Sequence, residues 1–168
     1  MADYLYTAGN VLALYLWSKA KTELGWSENN YGGLVPVVPV QQQPELNSST
    51  GPFVVFGQAF DAISPLHLLQ TETVAFTVFS QNISDINELT NLMVFNLKGF
   101  DEAATKVNNF ISTLGPSHWA REFDFKTIRV AGASGPQPSL QEGGRHDGNI
   151  VLKATYAHYG SNGRESRV

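Results

Sequence analysis

The reading of the fold turns on residues 122–159, which run EFDFKTIRV (122–130), AGASGPQPSLQEGGRHDG (131–148) and NIVLKATYAHY (149–159). The outer two runs alternate with the period of a β-strand, and both contain β-branched and aromatic residues, so they predict two antiparallel arms of one long hairpin. In the first arm Phe123 and Phe125 fall on one face and Ile128 and Val130 on the other. In the second, Ile150, Leu152, Ala154 and Tyr156 share a face. The polar stretch between the arms is longer than structureless loops usually are inside a compact domain, about 12–15 residues at most, and a loop of that kind is either disordered or there to touch something.

Upstream, Leu5, Ala8, Leu12, Leu16 and Ala20 recur at helical spacing, Lys19 and Lys21 sit in the last turns, and Gly25 can end the element, which predicts a helix from about Tyr4 to Leu24. Val11, Leu14, Tyr15 and Trp17 extend the apolar surface beyond one stripe, so this helix needs two neighbours. LVPVVPV (34–40) contains Pro36 and Pro39; proline lacks the ladder donor, so an edge strand is expected. After the loop QQQPELNSSTGP (41–52), a strand is expected over Phe53–Phe56, extending at most to Phe60. Residues 61–70 stay ambiguous, with Ile63, Leu66 and Leu69 at helical spacing and Pro65 between them.

Thr71 to Ser80 is the clearest strand, with Val74, Phe76 and Val78 alternating against threonines, and a central place is expected for it. Asp85 and Glu88 suggest a capping box opening a helix that Gly99 closes; Asp101 then caps a second helix that Gly115-Pro116 stops. The expectation is an α+β fold: a mostly antiparallel curved sheet of about four to six strands, helices on one face, an N-terminal helix and a long C-terminal hairpin. Residues 1–159 are expected to form one domain and 160–168 a flexible tail.

Composition narrows function. The 168 residues carry 11 basic and 15 acidic side chains, a net charge of −4, so the basic footprint of a nucleic-acid binder is missing. Charged residues make up 15% of the chain against about a quarter in average soluble proteins, which suggests surface covered by copies or partners. Absence of cysteine removes disulfides, thiolate metal sites and cysteine nucleophiles together. No apolar run reaches the ~20 residues that span a bilayer, and the start lacks the basic region of a signal peptide, so no membrane partner is expected.

The densest chemical cluster is Glu142, Arg145, His146 and Asp147. A metal there needs a further ligand, and His158 lies far along the second arm; polar pairing within the loop or across a subunit contact is the expected role. His67 and His118 stand alone. Tyr15 and Trp17 are the candidate interface residues on the first helix, beside core packing as their plain alternative. No catalytic residue, metal or cofactor is expected.

The first helix, PVVPVQQQPELNSSTGPFVVFGQAF (36–60), the strand TVAFTVFS (73–80) leading into a helix, and above all EGGRHDGNIVLKATYAHY (142–159) resemble the tail terminator, or tail completion (neck), proteins of tailed bacteriophages. That family pairs an N-terminal helix with a proline-flanked strand ending in a PF-V-V-type stretch and a Gly-Gly-Arg approach to a last strand ending in Tyr. This chain differs in having two successive helices where many members have one. The resemblance implies a homo-oligomeric ring, most often a homohexamer, at the head-tail interface of the virion, assembled from chains made in the host cytoplasm. Its implied partners are the tail tube protein and a head completion or connector protein, with DNA passing through the lumen unread. A heterologous ring needs two different patches per subunit, and the first helix and the hairpin are two candidates. In this picture residues 137–147 reach a neighbouring subunit or the tube beneath, and Arg145 pairs with an acidic group there. The alternative is a soluble α+β small-ligand binder or enzyme with a pocket between sheet and helices.

Overall fold

The computed structural model describes residues 7–41, 51–63, 69–138 and 145–159. Helix α1 (Ala8–Leu24) is followed by a short 3-10 turn (Glu28–Tyr31), β1 (Val37–Pro39), β2 (Phe53–Ile63) and β3 (Gln70–Ser80). Helices α2 (Ile83–Asn96) and α3 (Phe100–Ser112), a second 3-10 turn (Trp119–Glu122), β4 (Phe123–Pro138) and β5 (His146–His158) complete the order. The five strands form one open sheet in the order β1-β2-β3-β5-β4. β1 runs parallel to β2 and every other pairing is antiparallel. The chain is therefore α+β, with β3 in the middle and the proline-flanked β1 at an edge, as its sequence requires.

The period of two sorts each strand. Val54 and Phe56 of β2, Val74, Phe76 and Val78 of β3, and Ile150, Leu152, Ala154 and Tyr156 of β5 are buried on one face with apolar residues of all three helices. The opposite face carries a smaller buried cluster of Tyr31, Val38, Phe53, Val55 and Phe79. Helix α1 is buried nearly all round, from Val11 through Trp17, between the sheet and the other two helices. Burying one such side chain is worth roughly 1.5–3 kcal/mol, so this helix carries a large share of the core.

Several expectations change. Ile128 and Val130 do not face away from Phe123 and Phe125. The register steps from Phe125↔Tyr156 to Thr127↔Thr155, leaving Lys126 as an extra residue, so Ile128 and Val130 lie opposite Ala154 and Leu152 on the same face. An inserted residue reverses the alternation that follows it, and a bulge is how a strand accommodates this. Two further shifts, between Val130 and Gly132 and between Ser134 and Gln137, carry β4 on to Pro138. Most of 131–148 is thus strand, and the long polar loop expected there is not one. β2 also runs to Ile63, through a bulge between Phe60 and Ala62.

The helix boundaries move too. Asn82 caps α2, its side-chain oxygen accepting from Ser84 N–H at 3.1 Å, while Asp85 sits in the first turn and accepts from the Ser80 hydroxyl at 2.8 Å. Gly99, at φ 84°, precedes α3 as its cap, a left-handed conformation that glycine adopts without strain. Gly25 ends α1 as expected, at φ 71°. Glu142, His67, the 160–168 tail, Tyr4 and Leu5 lie outside the described residues.

Gly148 is a tight joint between sheet and helices. A Cβ there would stand 2.7 Å from Ile86 Cγ2 of α2 and 3.3 Å from the Ser134 carbonyl oxygen of β4. Gly148→Ala is expected to lose about 1–3 kcal/mol of stability through forced displacement of α2, read as a lower urea midpoint with an unchanged slope.

Candidate interaction surfaces

The hairpin cluster is split by the fold. Arg145 leads into β5, and His146 and Asp147 are its first two residues, opposite the end of β3. The Arg145 guanidinium lies 5.2 Å from the centre of the Phe53 ring, and the residue is only 8% exposed. Such a cation over an aromatic face gains electrostatic attraction and covers apolar surface with its stem. Arg145 therefore packs against Phe53 of its own subunit. Asp147 accepts from the Gln137 side-chain amide at 3.1 Å, across the β4–β5 ladder. His146 and His158 stand at opposite ends of β5, roughly 40 Å apart at the rise of an extended strand. Among the described residues, no group of three or more His, Cys, Asp or Glu is placed to hold a metal ion.

Tyr15 and Trp17 are core residues of the subunit. Tyr15 meets Phe110 of α3 edge to face at 5.4 Å, and the Lys21 ammonium lies 5.5 Å over the Trp17 ring. Both are buried, so neither offers a partner more than a fringe of surface.

Two polar clusters escaped the sequence reading. Glu122, fully buried, lies 2.9 Å from His158 Nε2, and the imidazole stacks on Phe123 at 4.6 Å. This pair links residues 36 apart in sequence, tying the turn before β4 to the end of β5. The second cluster surrounds Glu72 on the helix-covered face. Its carboxylate accepts the backbone N–H groups of Ala8 and Gly9, each at 3.1 Å, and the Tyr156 hydroxyl at 2.8 Å. The first turn of a helix leaves its N–H groups without internal partners and carries partial positive charge, so a carboxylate there satisfies both. The signal was legible: Glu72 falls on the same alternation as Val74, Phe76 and Val78, where a charge has to find partners.

The edges of the sheet are unlike. β4 presents a long outer edge, partly closed by Asn108, whose side chain donates to the Phe125 carbonyl at 2.8 Å and accepts from its N–H at 2.9 Å. Asn108 thus supplies what a neighbouring strand would. Residues 131–135 of the same edge are exposed. At the other side β1 is three residues long, flanked by exposed Leu34, Val35 and Val40. Between the sheet and the helices the space among Leu12, Leu16, Met93 and Leu152 is about 10 Å³, enough for about one water. On the outside, α1, α2 and α3 enclose an open groove of about 510 Å³. No helix among the described residues is long and apolar enough to cross a membrane.

No protein-family model matches this sequence, and no curated protein matches it.

Burial pushes the Glu72 carboxyl above its ordinary value of 4.5, against the hydrogen bonds from Tyr156, Gly9, Ala8 and Thr7. The folded chain then holds this proton more tightly than the unfolded one, so the contribution is complete below pH 4.5 and is lost as pH rises through the folded-state value. Glu72→Gln sets an amide N–H₂ against donors and is expected to cost about 1–3 kcal/mol. Urea melts across pH should show the gap between wild type and variant widest in acid and narrowing as pH rises.

Proposed function

We propose that this chain is a virion structural protein that forms a homo-oligomeric ring, most often six copies, at the head-tail junction of a tailed bacteriophage. There it caps the tail tube, ends tube polymerisation and joins the tail to a head completion or connector protein. The observation that carries the reading is the asymmetry of the sheet. The three described α-helices pack on one face, and the two edges differ in length, flanking residues and protection, giving each subunit unlike sides. A closed ring built head to tail needs unlike sides on every copy.

Other features agree with it. The space among Leu12, Leu16, Met93 and Leu152, between sheet and helices, is filled by side chains, as suits a scaffold, while open recesses of about 240 and 340 Å³ lie where α2 meets β4 and where α1 meets β1 and β2. The described polar clusters hold elements together: Glu72 secures α1, Glu122 with His158 secures the hairpin, and Arg145 packs on Phe53. A net charge of −4 also suits a lumen through which DNA passes without sticking, since tight non-specific binding rests on neutralised phosphates.

Multi-angle light scattering over a concentration series, followed by negative-stain images of tails assembled with and without the protein, tests the reading. Expected are a mass near six subunits, or concentration-dependent growth toward it, and overlong or headless tails when the protein is missing. Tails of normal length joined to heads in its absence would refute the proposal.

A further inference from the structure

A recess of about 450 Å³ opens where the end of α1, the first 3-10 turn, the approach to β2 and the first turn of α2 meet. Trp26, partly buried against the main core, lines it together with Tyr31 and Asp85. Glycine at 51 keeps the wall thin: a Cβ there would stand 2.6 Å from the Tyr31 hydroxyl oxygen. That hydroxyl donates to the Pro52 carbonyl and is already engaged. Asp85 has capacity to spare, because its Oδ2 accepts from the Ser80 hydroxyl at 2.8 Å while Oδ1 has no partner among the described residues. Its charge reaches across the recess, adding to burial in pushing the Tyr31 hydroxyl up to about 12.

The electrostatics of the recess have one sign. No described lysine or arginine lines it, and Lys21, the last basic residue of α1, is held 3.4 Å from Glu28 with its ammonium over the Trp17 ring. Leu24 and Gly25 bring the C-terminal end of α1 to the rim, where the last carbonyls lack internal partners and carry partial negative charge. The positive end of α2 is answered by Asn82, whose side chain accepts from Ser84 N–H. A carboxylate, an indole and a helix C-terminus together favour a cation. Among cations, a guanidinium stacks on an aromatic face and meets carboxylate oxygens with paired donors, and Leu24 and Pro52 offer apolar wall to the stem of an arginine. The recess is open to solvent, unlike the enclosed apolar sites of small molecules, which favours a side chain carried in on a protein surface. We infer that this recess binds the guanidinium of an arginine presented by a partner protein, with Asp85 as counter-ion and Trp26 as stacking surface. Such a site exists on the isolated subunit, whether or not copies assemble into a ring.

Titration of the full chain with the blocked tripeptide acetyl-Gly-Arg-Gly-amide, followed by NMR at the Trp26 indole N–H, tests the site. The spectrum of Trp26→Phe identifies that signal. Saturable shifts are expected, with a Kd on the order of 1 mM, as suits one side chain in one recess. Asp85→Asn keeps an oxygen for the Ser80 hydroxyl and is expected to bind the peptide about tenfold more weakly. Citrulline in place of arginine has the same shape without the charge and is expected to lose as much, and a lysine peptide is expected to bind several-fold more weakly. The site is overturned if the Trp26 signal stays still as the arginine peptide is added, if citrulline or lysine binds as tightly, or if Asp85→Asn leaves the affinity unchanged. Should Asp85→Asn fail to fold, the comparison of arginine with citrulline on wild type decides alone. Loss of this site leaves the ring standing, whereas the ring reading itself falls only with the tail images.

Discussion

The buried carboxylate of Glu72 fixes where the first helix begins. Helix α1 is apolar around most of its circumference, so burial alone favours keeping it in the core without specifying its rotation or its axial position. The two N–H groups of Ala8 and Gly9 supply that specification, because they point at one acceptor on the central strand. Tyr156 joins the same carboxylate from β5, so a single acid connects α1 with the two strands at the heart of the sheet. A Cβ at Gly9 would lie 3.1 Å from the Gln58 side-chain oxygen of β2, a contact that the exposed end of that side chain can yield. With α1 seated, α2 and α3 have a surface to pack on, and their positions in turn shape both the filled interior and the outer groove.

Much of this architecture was legible in the sequence because its signals are local. Alternation in Val74–Phe76–Val78 and in Ile150–Leu152–Ala154–Tyr156 gave the two inner strands, and Pro36 with Pro39 gave the edge. The helices were visible from their apolar spacing, although Asn82 outcompeted Asp85 as a cap by lying two residues past the end of β3, where its extended backbone suits that role. What stayed hidden depends on pairing. No local pattern marks Lys126 as an extra residue; its status exists only against Thr155 and Tyr156 on the partner strand.

The candidate site was legible in composition and not in placement. Arg145, His146 and Asp147 read as a polar loop because Gly143 and Gly144 precede them, yet the ladder with β3 extends through His146. Once extended, the three side chains alternate between faces, and Arg145 lands on Phe53, more than ninety positions earlier in the chain. Tyr15 and Trp17 were ambiguous for a plain reason: an aromatic on an all-round apolar helix serves an interior or an interface equally well, and only the position of α2 and α3 decides.

The bulges give the two arms of the hairpin different tolerances. β5 keeps an uninterrupted register with β3 over eleven pairs, so it acts as the ruler of the sheet. β4 departs from that ruler three times and still returns its apolar residues to the right face. Adding or deleting one residue near a bulge in β4 would change slack at the rim, whereas the same edit in β5 would invert Ile150, Leu152 and Tyr156 at once. A one-residue edit is accordingly better accommodated in β4 than in β5, because slack at the outer rim leaves the core beneath it undisturbed.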